Sequence, residues 1–278
     1  MTPITYLFVP ALRTERIAKA FAAGAHAVIV DLEDAVDIRD KSRAREQLDD
    51  FLSSSPQPVW LRVNAVSTPW FADDKALIEK HCRQLAGVML AKTESGADID
   101  ALEFDGAPAL PVIALIESAR GVLRLGDICT HPRLSRLAYG SADLSRDLGC
   151  EDDWDVLAYT RMQLVLHSSA ARLAPPIDGV TFALDQPEVV QHDAVRAARM
   201  GFAGKLCVHP SQLQPTVKGF APSESQRQWA LQVVAAADAG SGAQRLNGQL
   251  VDSPVIALAQ QILQRHEALE AIASSHRF

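Results

Sequence analysis

The sequence predicts an α/β fold of the (β/α)8 type, a TIM barrel, extended at its C-terminus by a helical lid segment. Short β-branched runs alternate with longer segments of helical spacing, and the unit recurs about every 25 to 30 residues. The length of 278 residues is close to that of one such barrel.

The strand-like runs are residues 6–10, 27–32, 59–64, 87–92, 111–117, 134–140, 177–183 and 205–209. Most are continuously apolar rather than alternating, as strands buried on both faces of a parallel sheet must be. Between them, helical spacing covers 14–23, 41–52, 69–82, 118–128, 155–172 and 187–200, with Gly24 and Gly201 placed to close two helices. An open doubly wound sheet is the alternative that the same alternation permits. After the eighth run come a helix over 222–238, a glycine-containing break at 239–242, a polar–apolar alternation over 244–251 and a last helix over 254–273. The expected division is therefore a catalytic barrel, 1–221, and a C-terminal helical and lid extension, 222–278.

Composition narrows the function classes. Hydrophobic residues at 48% and charged ones at 22% are ordinary for a globular chain. A net charge of −7 argues against sequence-independent attraction to nucleic acid. Cys82, Cys129, Cys150 and Cys207 lack the spacing of a zinc site or a disulfide framework, which points to a reducing cytoplasm. The N-terminus lacks a basic segment followed by a long apolar one, and no apolar run approaches the roughly 18 residues of a membrane helix.

In such a barrel the active site forms at the C-terminal ends of the strands. Charges crowd there: Asp31, Glu33 and Asp34 after the second run, Arg62 in the third, Lys92 closing the fourth, Glu117 closing the fifth and Asp143 after the sixth. Glu117 and Asp143 come from consecutive strand ends and suit a hard cation, which takes one or two protein carboxylates and leaves other positions to substrate oxygens. They could instead cap the helix from Ser118 and pair with Arg146. Arg62 suits a bidentate grip on a substrate carboxylate, or a structural ion pair with a carboxylate of the second run. Lys92 is either a counter-ion to these acids or a Schiff-base nucleophile. Arg13, Arg16 and Lys19, three apart, can share a helix face, as a phosphate-binding patch or a solvated stripe. His209, before a proline, reads as a hydrogen-bonded structural histidine.

Taken together the segments resemble the citrate lyase β-subunit-like branch of the HpcH/HpaI aldolase superfamily. The matching stretches include Leu7-Phe8-Val9-Pro10 with Arg13, Asp31-Leu32-Glu33-Asp34, Arg62-Val63-Asn64, Ile116-Glu117-Ser118, Gly140 with Asp143, Ile177-Asp178-Gly179 and His209-Pro210. Ala11, Leu12, Ala91 and Ala142 depart from the usual pattern. The resemblance implies a homotrimer or homohexamer that cleaves or forms a carbon–carbon bond in a hydroxyacyl-coenzyme A thioester such as citramalyl-, malyl- or citryl-CoA. It implies Mg²⁺, with Mn²⁺ as a substitute, held by Glu117 and Asp143. It places Arg62 on the keto-acid carboxylate, the backbone of Gly140, Ser141 and Ala142 around that acid, and Phe8, Arg13 and Lys19 on the coenzyme. Asp31 and Glu33 join the catalytic group. Asp252 is similar to an acid that reaches a neighbouring subunit's site, and it is also placed to cap the last helix. The alternatives are a coenzyme-independent class II aldolase of pyruvate type, or a thioester-binding subunit of a larger assembly.

Overall fold

Eight parallel strands close into a barrel in sequence order, in a computed structural model that describes residues 2–54, 57–103, 109–238, 244–246 and 249–275. They are β1 (Thr5–Pro10), β2 (Ala27–Asp31), β3 (Val59–Val63), β4 (Leu85–Leu90), β5 (Val112–Ile116), β6 (Leu134–Tyr139), β7 (Ile177–Asp178) and β8 (Gly204–Cys207). Strand β1 pairs with β2 along one edge and with β8 along the other, which leaves no open edge.

The continuous apolar runs follow from this geometry. Leu7, Val9, Val28 and Val30 point outward beneath the helices, while Tyr6, Ile29, Met89, Ile113 and Leu115 fill the interior. Each such buried side chain contributes roughly 1.5–3 kcal/mol. The helix Lys41–Ser54 buries Ala44, Leu48 and Leu52, four residues apart, against the barrel. The helix Pro187–Met200 begins on a proline and ends at Gly201, whose φ of 108° is a left-handed cap.

Three local expectations are corrected. Residues 11–16 form a 3₁₀ segment kinked at Arg13 (φ −132°, ψ 45°), and the α-helix spans only Ile17–Ala22. The kink lies between buried Ala11 and buried Ile17 and Ala20, so Arg13 and Lys19 do not share one regular helix face. The expected 118–128 helix is two short ones, Ala119–Leu123 and Leu125–Ile128, broken at Arg124. Strand β7 has only two residues of the expected 177–183 run, and just beyond it the carbonyl of Gly179 accepts from Lys205 Nζ (2.6 Å).

These barrel elements lie in one compact unit, Thr2–Phe220, and the chain from Ala221 belongs to another. The latter holds the helix Glu224–Asp238, an antiparallel pair β9 (Gln244–Leu246) and β10 (Gln249–Val251), and the helix Ser253–Ser275. Its own core is built on Ala230, Val233, Val251 and Ala259. The break expected at 239–242 lies outside the described residues. Among the described residues no helix is long and apolar enough to cross a membrane.

Candidate active site

A cleft of about 340 Å³ opens at the C-terminal ends of the strands, where loop variation places chemistry in this architecture. Asp31, Asp34, Arg62, Glu117 and Asp143 all line it.

Asp31 and Arg62 are cross-strand partners on β2 and β3. This register lets Arg62 donate from Nε to Asp31 Oδ1 (2.7 Å) and from Nη2 to Oδ2 (2.6 Å), a bidentate pair. Asp31 also accepts from the backbone of Glu33 (2.9 Å) and Ala35 (3.0 Å). Burial alone would raise its pKa, but the Arg62 charge and these four hydrogen bonds outweigh that and hold it below the ordinary range. Asp31 is thus a fixed anion that aims Arg62. The guanidinium also lies 4.6 Å over the Phe8 ring and places Nη1 3.0 Å from Glu33 Oε2.

Glu33 bridges two cations, since Lys92 Nζ donates to its other oxygen. Burial raises the pKa of Glu33, and Asp34 adds to the rise against Arg62 and Lys92. Burial would lower the Lys92 ammonium's pKa, but Glu117 and Glu33 raise it instead. A lysine held charged is a counter-ion and a poor amine nucleophile. Lys92 has φ 50°, a left-handed conformation uncommon for a side chain of this kind. Its backbone N–H donates to Glu117 Oε1 (2.8 Å).

Glu117 follows β5 and is buried, and Ser118, not Glu117, caps the next helix through a bond from Gly121 N (3.1 Å). Burial, then the charge of Glu33, pushes its carboxyl up to about 8; Asp143 adds to the rise, while Lys92 and Arg62 oppose it. Asp143 lies in the first turn of the helix Ser141–Leu148 and pairs with Arg146. Gly140, between β6 and this helix, sits where a Cβ would come within 2.7 Å of Glu117 Cβ and Oε2. The absence of a side chain there is what admits the carboxylate. The two acids offer hard oxygen donors beside cations already matched by Asp31 and Glu33, which is a donor set that fits a hard divalent ion.

The other expected residues are placed as follows. Phe8, Gly140 and Ala142 line the cleft with the acids. Ser141 is buried and donates to Asp152 Oδ2 (3.0 Å). Arg13 and Lys19 are exposed and do not line it. Asp252 belongs to the other unit, where its Oδ1 accepts from Val255 N (3.3 Å) and its carbonyl from Ile256 N (3.0 Å), the geometry of a helix cap. His209 likewise accepts from Ser211 N (3.2 Å).

Sequence reasoning missed two groups. Lys41 is buried and its Nζ donates to the carbonyls of Leu32 (2.7 Å) and Glu33 (2.8 Å) and to Asn64 Oδ1 (2.8 Å), locking the end of β2 beside that of β3. A lysine opening a helical run carries no signal of this. Val180, Phe182, Leu206 and Val208 form an apolar wall of the cleft; their spacing of two at the ends of the seventh and eighth runs was the available cue. Elsewhere Asp100, Glu103 and His131 approach one another, but His131 presents Nε2 to Asp100 (2.9 Å) and accepts Arg133 N at Nδ1 (3.2 Å), so neither ring nitrogen is left for a metal.

Comparison with known proteins agrees with this architecture. A citrate lyase subunit beta-like protein of Mycobacterium tuberculosis is 38% identical over 94% of this chain and 94% of its own. A (3S)-malyl-CoA thioesterase of Cereibacter sphaeroides is 32% identical, with 97% of this chain and 96% of that one covered. The crystal structure of CitE from Mycobacterium tuberculosis in complex with magnesium, acetoacetate and coenzyme A superposes with a TM-score of 0.85 at 34% identity, over 95% of this chain and 98% of that one. Residues 5–210 match the HpcH/HpaI aldolase/citrate lyase family. With the match spanning the whole barrel and its charged rim, the chain belongs to the HpcH/HpaI aldolase/citrate lyase family.

Proposed function

We propose that the protein is a Mg²⁺-dependent carbon–carbon lyase, or the corresponding condensing enzyme, acting on a hydroxyacyl-coenzyme A thioester and releasing an acyl-CoA and a small 2-oxo acid. The observation that carries this reading is the convergence of Glu117 and Asp143 on one cleft beside Arg62. The relative solved with magnesium, acetoacetate and coenzyme A supports it.

In this reading Glu117 and Asp143 hold the ion, which supplies Lewis-acid polarisation of the substrate's hydroxyl or keto oxygen. Arg62 has given Nε and one Nη2 hydrogen to Asp31 and holds Nη1 3.0 Å from Glu33 Oε2, so the substrate carboxylate would share the outer face of the guanidinium with Glu33. Asp31 and Glu33 keep that guanidinium and Lys92 in place. The backbone from Gly140 to Ala142 frames the 2-oxo acid, and Phe8, with Arg13 and Lys19, serves the coenzyme. Cleavage is redox-neutral. The hydroxyl proton leaves to a base, its oxygen becomes the keto group, and the pair from the broken bond forms the thioester enolate, which takes a proton. Asp252, delivered from a neighbouring subunit, is the acid–base group. All four cysteines are free thiols, which supports a cytoplasmic setting. The assembly this reading implies is a homotrimer or homohexamer.

The test incubates the Mg²⁺-loaded protein with malyl-, citramalyl- and citryl-CoA, and with the free hydroxy acids, and reads 2-oxo acid release. Release from a thioester alone supports the reading. Release from the free acids at equal rate contradicts it in favour of a coenzyme-independent aldolase. The relative named as a thioesterase favours one second reading, hydrolysis of the thioester.

A further inference from the structure

Two peptide planes join the carboxylate that aims Arg62 to a buried cation that does not line the cleft. The C=O of Leu32 and the N–H of Glu33 belong to one rigid trans peptide and point in opposite directions. The N–H donates to Asp31 Oδ1 (2.9 Å), and the carbonyl accepts from Lys41 Nζ (2.7 Å). The next peptide joins Glu33 to Asp34; its carbonyl accepts from the same ammonium (2.8 Å), and Asp34 lines the cleft. Lys41 is 5% exposed, and its third donor goes to Asn64 Oδ1 (2.8 Å), so each ammonium hydrogen has an oxygen. All three oxygens are neutral. Asn64 is itself fixed by Asp74, which accepts from its N (3.0 Å) and its Nδ2 (2.6 Å), and the Trp70 ring lies 5.2 Å from the ammonium. Burial of an ammonium is costly, and charge-assisted bonds to three fixed oxygens offset that cost while holding residues 32–34 in one orientation.

We propose that Lys41 is a positioning residue of the active site: its ammonium, acting through the Leu32–Glu33 peptide plane, holds the Asp31 carboxylate in the orientation that aims Arg62 at the substrate carboxylate. This rests on the lyase reading above for what Arg62 grips, and on the geometry alone for how Arg62 is held. Without the ammonium the Leu32–Glu33 plane is free to tilt, and the bond from Glu33 N to Asp31 weakens. Leu32 O keeps its bond from Asn64 Nδ2 (3.1 Å), and Asp31 keeps that from Ala35 N (3.0 Å). The barrel therefore persists and the aim of Arg62 changes. Glu117 is held by Lys92 N and Asp143 by Arg146, outside these planes, so the affinity for Mg²⁺ is expected to stay as it was.

Lys41→Ala deletes a group with the shape and charge of propylammonium, which makes that cation the rescue probe and propanol its uncharged control. The Nε–H signal of Arg62 in the NMR spectrum, identified by its loss in Arg62→Lys, reports the aim directly, because its bond to buried Asp31 protects it from exchange with water. In Lys41→Ala that protection should fall at least about tenfold, and the Mg²⁺-loaded protein should bind pyruvate at least about tenfold more weakly, the equivalent of one charge-assisted bond. The calorimetric affinity for Mg²⁺ should not change. Propylammonium should restore both losses and propanol neither. For any thioester that the wild-type protein cleaves, kcat/KM should fall on the order of a hundredfold. Lys41→Gln, with two amide hydrogens for the three oxygens, should fall between wild type and alanine, and it decides the matter if the alanine variant does not fold. An unchanged Arg62 signal, rescue by propanol as good as by propylammonium, or Mg²⁺ affinity lost as far as pyruvate affinity overturns the proposal. So does failure of both variants to fold even with propylammonium, which would assign Lys41 to the fold alone. The NMR signal needs neither ligand nor turnover, so it separates the two readings. If it responds as expected and the wild-type protein cleaves no thioester, the lyase reading falls and the positioning role stands. If the wild type cleaves a thioester and Lys41→Ala cleaves it as fast, the lyase reading stands and the positioning role falls.

Discussion

Replacing Gly140 with alanine probes how closely the chemistry depends on the position of Glu117. The new Cβ would stand 2.7 Å from both Glu117 Cβ and Oε2, where ordinary contact begins at 3.4 Å, so the groups must separate by about 0.7 Å (3.4 − 2.7). Rotation of the Glu117 side chain relieves the Oε2 contact and leaves the Cβ contact, because Cβ moves only with the backbone at the end of β5. That backbone is tied to Gly140 by the bond from its N–H to Ile116 O (2.9 Å). The carboxylate and the loop leading to Asp143 must therefore shift together. A misplacement approaching 1 Å costs on the order of a hundredfold in rate, and overpacking costs about 1–3 kcal/mol of stability. The variant is expected to unfold cooperatively at a lower temperature, to bind Mg²⁺ more weakly, and to lose about a hundredfold in kcat/KM. Steady-state kinetics with a Mg²⁺ titration measures this. A variant with normal kcat/KM and normal Mg²⁺ affinity would refute the reasoning.

Other outcomes follow from the same geometry. Arg62→Lys keeps the charge but loses the fork that grips Asp31 while facing the cleft, and should lower kcat/KM by about a hundredfold or more; near-normal turnover would remove Arg62 from the site. With Glu117 pushed up to about 8 in the metal-free protein, Mg²⁺ must displace a proton at pH 7, so its affinity should climb as pH rises towards 8 and level off above. Calorimetry in buffers of different ionisation heat should show release of up to about one proton per ion at pH 7, and no release would contradict the assignment. The sign for stability is opposite. The raised pKa stabilises the metal-free fold at low pH, and that contribution is lost as pH rises through about 8. Mixing the inactive variants Asp252→Asn and Glu117→Gln with proven subunit exchange should restore part of the activity; no recovery would mean that Asp252 does not act between subunits.

The barrel was legible because its strands are buried on both faces, which leaves apolar runs such as 27–32 and 111–117 standing out of the chain. Where a side chain from another strand meets the backbone, legibility stops: nothing near residue 179 announces that Lys205 will donate to its carbonyl. The same holds within the site. Charges at strand ends mark Asp31, Glu33, Arg62, Glu117 and Asp143 as a group, since an apolar barrel has no other use for them. Which acid holds Arg62 depends on the register that sets Asp31 opposite it, and register between adjacent strands is written in no local pattern. Of the two roles of Arg62 left open by the sequence, the structure shows the ion pair with Asp31, and a guanidinium has donor hydrogens beyond the two that pair uses. The kink at Arg13 shows the reverse case, where spacing of three suggested a helix face and the chain forms a kinked 3₁₀ segment instead.

The most direct test of the central claim is a product balance on citramalyl-CoA with metal-stripped and Mg²⁺-restored protein, reading pyruvate, acetyl-CoA and free coenzyme thiol in the same sample. The account expects pyruvate and acetyl-CoA in equal amounts, no free thiol, and no reaction until Mg²⁺ is restored. Free thiol without pyruvate would show hydrolysis instead of carbon–carbon cleavage, and turnover undiminished in the stripped protein would contradict the role given to Glu117 and Asp143.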